Sequence, residues 1–175
     1  MRYWLGFGSN VGDRRANIEE AAEKIRKLGL KIIRKSSFYR TEPVGFAPQP
    51  WFINQVMEVD ADLSPGELLH AVKAIETGMG RRPGRRNGPR SIDIDILLAG
   101  DTVLQSPELV IPHPRLAERR FVLIPLEEIA PDLVHPESKE SIRTVLRGCP
   151  DRSVVERISR RTESSILKKK PREIV

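Results

Sequence analysis

Cysteine is almost absent from this chain: its 175 residues include one, Cys149. An intramolecular disulfide is therefore excluded, and the usage fits a reducing compartment. With three histidines in the whole chain, a structural zinc site is not expected either. No histidine lies near Cys149 in sequence, so it reads as a small core hydrophobe rather than a nucleophile. Long apolar runs are missing as well. The N-terminal stretch MRYWLGFGSNVGD is broken by glycine and polar residues, which leaves no apolar core for a secretion signal, and no run approaches membrane-spanning length. The expectation is a cytoplasmic protein without a membrane partner.

Positive charge is in excess. Thirty lysines and arginines against 24 acidic residues give a net charge of +6, which favours an anionic partner: nucleic acid, lipid or a phosphorylated small molecule. The length suits one well-cored domain, expected over residues 1–150, with 151–175 as a charged extension. That tail, DRSVVERISRRTESSILKKKPREIV, is dense in charge and poor in aromatics; one short helix and a mobile end are expected.

The elements alternate. RYWLGFG (2–8) reads as a buried strand. Asp13 can cap a helix in which Ile18, Ala21, Ala22, Ile25 and Leu28 recur at helical spacing, and Gly29 stops it. A second strand is expected over 31–41, then the proline- and glycine-rich loop EPVGFAPQP, then a third strand over 51–61. Ser64, Pro65 and Glu67 form a capping box with proline at the first helical position, opening a helix with Leu68, Val72, Ile75 and Met79 as its apolar stripe. A fourth strand follows at SIDIDILL, and 113–131 suggests a short turn-and-helix region. The order β-α-β-β-α-β predicts an α+β, ferredoxin-like fold, with an antiparallel sheet and helices packed on one face.

Chemistry concentrates in GRRPGRRNGPRSIDIDILLAG (80–100), where five arginines in eleven residues run into the fourth strand. Strand side chains alternate faces with a rise of about 3.3 Å per residue, so Asp93 and Asp95 share one face while Ile92, Ile94 and Ile96 take the other. Two ionised carboxylates that close repel each other unless a cation lies between them. Paired divalent ions lie about 3.5 to 4 Å apart, which this spacing suits. Guanidinium groups bind phosphate oxygens in bidentate fashion. Together the two features describe a polyphosphate holder; each alone could be a solvated face. On the third strand Phe52 and Asn54 share a face, an aromatic ring beside an amide that both donates and accepts, which suits a flat heterocycle. GFGSNVG lacks the lysine and hydroxyl ending of a P-loop and the dinucleotide fingerprint; it reads as a tight strand-to-helix turn.

GSNVGD, SSFYRTEPVG, QPWFINQV, NGPRSIDIDILL and IPHPRLAERRFVLIPLEEIAPDL occur in this order over about residues 3–137. Together they resemble the 6-hydroxymethyl-7,8-dihydropterin pyrophosphokinase family. The resemblance implies transfer of the β,γ-diphosphate of ATP to the hydroxymethyl group of a reduced pterin, with AMP released, in folate biosynthesis. It implies two Mg2+ ions on Asp93 and Asp95. It implies that Asn54 reads the pterin, that Phe52 and Phe121 sandwich it, and that Thr41, Pro43 and Val44 contact it. Glu76, Arg81, Arg90, Ile96, His113 and Arg119 correspond to residues around the nucleotide, with Arg81, Arg90 and Asp95 nearest the chemistry. Arg82, Arg85 and Arg86 fall in a loop that closes over the site. Asn87, Glu108 and Pro114 depart from the pattern of some members, which bears on that loop and on nucleotide affinity. The expected partners are ATP and the pterin, without nucleic acid, and a monomer is expected. Two rival readings use other features: a metal-dependent nucleotidyltransferase or nuclease on the same aspartates, and a ferredoxin-like RNA-binding module. The second would display aromatics in RNP-type strand motifs, which this sequence does not contain.

Overall fold

The computed structural model describes residues 1–44, 48–81 and 88–158. Arg82, Arg85, Arg86 and Asn87 of the arginine loop, and the tail from residue 159, lie outside the described residues. Along the chain come β1 (Arg2–Ser9), α1 (Arg14–Lys27), β2 (Lys31–Lys35), β3 (Tyr39–Thr41), β4 (Phe52–Asp60), α2 (Pro65–Gly78) and β5 (Asp93–Ala99). They are followed by β6 (Leu104–Gln105), β7 (Val110–Ile111), a 3-10 turn at Leu116–Glu118, α3 (Arg120–Ile129), α4 (Ile142–Gly148) and β8 (Val155–Arg157).

The local signals act as their chemistry dictates. Asp13 accepts from Ala16 N at 3.0 Å and opens α1; Gly29, at φ +84°, turns the chain out of it, a conformation glycine adopts without strain. At α2, Ser64 Oγ accepts from Glu67 N while the Glu67 carboxylate accepts from Ser64 N at 2.8 Å. Leu68, Val72 and Ile75 form the buried stripe, and Glu76 is buried beside them.

In the main sheet the order is β5-β1-β4-β3-β8, with β2 also on β4. β1 runs antiparallel to both neighbours, and β2 and β3 share one edge of β4, β2 along Met57–Asp60 and β3 along Phe52–Asn54. This is the ferredoxin-like order. The 31–41 stretch, expected as one strand, is broken at 36–38. Ser36 N donates to Val56 O at 2.9 Å and Ser36 Oγ accepts from Val56 N at 3.0 Å, so a hydroxyl takes over a ladder position and the strand bends there.

Side chains alternate across β1. Tyr3, Leu5 and Phe7 join Ile18, Ala22 and Ile25 of α1, Leu68 and Val72 of α2, and Ile94 in one core. Trp4, Val56, Leu97 and Leu98 point the other way, into a second core with Leu123 and Leu126 of α3 and Ile142 and Val145 of α4. The two helices expected on one face are there, and α3 with α4 adds a layer on the opposite face. Cys149 is buried in that second core. Within the charged extension, Val155–Arg157 is a strand, because the free edge of β3 pairs with it (Thr41↔Val155); the short helix expected somewhere in 151–175 would have to lie outside the described residues.

Candidate active site

The second layer covers only part of its sheet face, and a cleft open to solvent occupies the rest. Strand register explains what lies in it. Gly8 of β1 stands between Asn54 of β4 and Asp93 of β5, and Gly6 stands between Val56 and Asp95. The two glycines therefore make a floor without side chains, with the amide wall on one side and the carboxylates on the other. A Cβ on Gly8 would come within 2.8 Å of Asn54 Oδ1, so glycine is what allows that amide to lie flat over β1. Asn54 is buried and its Nδ2 donates to Thr41 Oγ1 at 2.6 Å, which fixes the amide plane. Phe52 and Phe121 also line the cleft.

The carboxylates are gripped unequally. Asp93 accepts from Arg81 Nη1 at 2.6 Å and from Arg90 Nη1 at 2.7 Å. Burial pushes its pKa up, but these two guanidinium groups, Arg90 foremost, outweigh burial and hold it below the usual carboxylate range. Among the described residues Asp95 has a single cation at the margin of contact, Arg119 at 3.5 Å; burial first, and then the Asp93 charge, push its pKa up. Two neighbouring carboxyls driven apart in this way mark a functional site more often than a solvated strand face. Behind them, Glu76 is 2 % exposed and accepts from Ile94 N, between the two aspartates, at 2.6 Å. It also pairs with Arg81 at 2.5 Å and Lys73 at 3.1 Å. Arg90 is anchored through its backbone: its N–H donates to Asn10 Oδ1 at 2.8 Å, and Asn10 N donates to Arg90 O at 3.1 Å.

A second hollow adjoins the first, lined by Lys73, Asp95, Ile96 and His113 among others. His113 Nε2 lies 3.4 Å from Arg119 Nη1 and its Nδ1 accepts from Arg115 N at 3.1 Å. Burial and the neighbouring guanidinium groups lower its pKa against the pull of Asp95. Arg119 also lies over the Phe121 ring, 5.7 Å from its centroid.

Residues 4–131 match the family described as 7,8-dihydro-6-hydroxymethylpterin-pyrophosphokinase. The chain belongs to that family. A 2-amino-4-hydroxy-6-hydroxymethyldihydropteridine pyrophosphokinase of Methylorubrum extorquens is 42% identical over 158 residues, 90% of this chain and 98% of that protein. The Pseudomonas aeruginosa protein of the same name is 39% identical over 151 residues, 86% of this chain and 93% of its own. Folic acid synthesis protein fol1 of Schizosaccharomyces pombe is 41% identical over 152 residues, and there the match spans 86% of this chain but only 21% of the longer protein. The fold is shared with Plasmodium falciparum HPPK-DHPS crystallised with pterin and p-hydroxybenzoate: TM-score 0.66, 20% identity, covering 83% of this chain and 42% of that one.

Within this pyrophosphokinase chain the sequence-derived residues fall into three groups. Thr41, Val44, Phe52, Asn54, Arg90, Asp93, Asp95, Arg119 and Phe121 line the main cleft. Ile96 and His113 line the adjoining hollow; behind the carboxylates, Arg81 pairs with Asp93 and Glu76 pairs with Arg81 and accepts from Ile94 N. Pro43 is half-buried and is not among the lining residues. Among the contributors that went unread in the sequence are Gly6, Gly8 and Asn10. The glycines carried a usable signal, since two of them at period two in an apolar strand empty one face of it. Asn10 carried none, because its partner is eighty positions away.

Proposed function

We propose that this cleft transfers the β,γ-diphosphate of ATP to the hydroxymethyl group of 6-hydroxymethyl-7,8-dihydropterin, releasing AMP, as a step of folate biosynthesis. One observation carries the reading. Across the glycine floor an aromatic and amide wall (Phe52, Asn54, Phe121) faces a carboxylate and arginine wall (Asp93, Asp95, Arg90, Arg119), so a flat heterocycle and a polyphosphate meet in one cleft. The pterin lies between the two phenylalanine rings, with Asn54 reading its edge and Thr41 holding that amide.

The residues fit magnesium. Asp93 and Asp95 offer hard oxygen donors, and among the described residues no cluster of three or more histidine, cysteine or acidic side chains forms a cage. Magnesium keeps several waters and takes phosphate oxygens as ligands, so two carboxylates suffice for ions that arrive with the nucleotide. The paired spacing accommodates two ions, which would neutralise the bridging phosphate oxygens.

The hydroxyl oxygen attacks the β-phosphorus in line, the bond to the α,β-bridging oxygen breaks, AMP leaves, and the hydroxyl loses its proton. Arg90 and Arg81, now on Asp93, are positioned to share their charge with the transferring phosphates, and Arg119 with the nucleotide side. Asp95, whose pKa is raised, is the group lining the cleft that is nearest in kind to a proton acceptor. Most of the rate gain is positioning and charge stabilisation. Chromatography of the adenine nucleotides after mixing protein, ATP, magnesium and the pterin tests this. Pterin-dependent AMP without ADP is expected; ADP would mean transfer of a single phosphoryl group, and pyrophosphate release would favour the nucleotidyltransferase reading.

A further inference from the structure

The family match ends at residue 131, yet a later segment touches two elements that frame the aromatic and amide side of the cleft. On one side Asp151 Oδ2 accepts from Arg120 N at 2.9 Å. That amide is the first of α3, immediately before Phe121, and Arg119 at the N-cap supplies no side-chain bond of its own. The Asp151 carboxylate therefore stands where a capping group and a helix dipole both favour negative charge. Its other oxygen accepts from Ser153 N at 2.8 Å. Although burial acts upward, these bonds hold the pKa of Asp151 below the usual range.

On the other side the pairing of β8 with β3 runs past the end of β3. Glu42 N donates to Val154 O at 3.3 Å, and Val154 N donates to Glu42 Oε2 at 2.7 Å. β4 has already let go there, since its register with β3 ends at Thr41↔Phe52. Glu42 lines the cleft, and the residue before it, Thr41, holds Asn54.

We propose that Asp151–Val155 is a strap belonging to the substrate site, with Asp151 and Val154 as positioning residues that hold the Phe121 part and the Thr41–Glu42 part of the aromatic and amide side at a fixed separation. This rests on reading the cleft as the pterin site. A flat ring gains from stacking only when the slot matches its thickness. Release of either end of the strap, by fraying the first turn of α3 or freeing Glu42, therefore weakens pterin binding more than nucleotide binding.

The test uses full-length Asp151→Ala, Asp151→Asn and Val154→Pro, with KM for pterin and for ATP measured separately beside thermal melts. Asp151→Ala and Val154→Pro are expected to raise pterin KM about tenfold, the effect of one charge-assisted hydrogen bond, with ATP KM within about twofold. Asp151→Asn, which keeps an acceptor oxygen for the Arg120 amide, should recover most of the loss and folds most readily of the three. Unchanged pterin KM in all three would overturn the strap. So would equal rises in both KM values, or a loss of active protein with both KM values unchanged, since a merely structural tail behaves in those ways. Failure of the parent protein to make pterin-dependent AMP would overturn the reading of the cleft itself and is seen before any variant is compared.

Discussion

On one face of the sheet Tyr3, Leu5 and Phe7 of β1 lie beneath α1 and α2, each 1 % exposed or less. On the other face Gly6 and Gly8, each following one of them in sequence, carry no side chain and floor a cleft lined by Asp93, Asp95, Arg90 and Arg119. Because strand neighbours point to opposite faces, adjacent residues of one strand answer to different demands. The apolar face is held by burial, and truncating a residue there removes transfer energy and leaves a cavity. The charged face concentrates like charges and glycine, neither of which favours folding, and what it gains is a place for phosphate and a ring. Stability and chemistry are thus separable along β1, position by position.

The sharpest way to break that separation lies on the charged face. Arg90→Ala is expected to lower turnover about 10³-fold, in the range seen when one preorganised charge donor is removed, with little change in melting because Asp93 keeps Arg81; single-turnover rates beside thermal denaturation check it. Leu5→Ala, on the opposite face, should do the reverse. It should cost about 2 to 5 kcal/mol in denaturant titrations while the turnover of the remaining folded protein stays near the parent value. A large fall in turnover per folded molecule would show that the two faces are coupled. Gly8→Ala sharpens the comparison at its seam. The new Cβ must push Asn54 Oδ1 out of its 2.8 Å approach, so pterin KM should rise about tenfold, roughly one hydrogen bond's worth, with ATP KM unchanged. An unaltered pterin KM would mean that Asn54 has room to move.

Much of the apolar face was legible because its rules are local. The capping box at Ser64, the stripe Leu68, Val72 and Ile75, the Asp13 cap and the stop at Gly29 each depend on residues within a few positions. The aspartate strand was legible for the same reason, since period two sorts Asp93 and Asp95 from Ile92, Ile94 and Ile96 without further information. What was not legible depends on pairing at a distance. The ion pairs from Arg81 and Arg90 to Asp93 need the loop's path, and the grip of Glu76 on Ile94 N needs α2 laid against β5. The break at Ser36 needs the register with Val56. Most distant of all is the β8 edge: nothing in residues 151–158 announces a strand, and only the open side of β3 makes it one.

The most direct test is Asp95→Asn, with turnover and thermal melting measured on the same preparation, the melt in magnesium-free buffer. Asp95 is a partly buried carboxyl beside another carboxylate, with one cation among the described residues 3.5 Å away, so the account predicts turnover lowered by about 10³ in a protein that melts no lower than its parent. Near-normal turnover combined with a clear drop in melting temperature would contradict it, and would make Asp95 a structural residue on a face where no chemistry takes place.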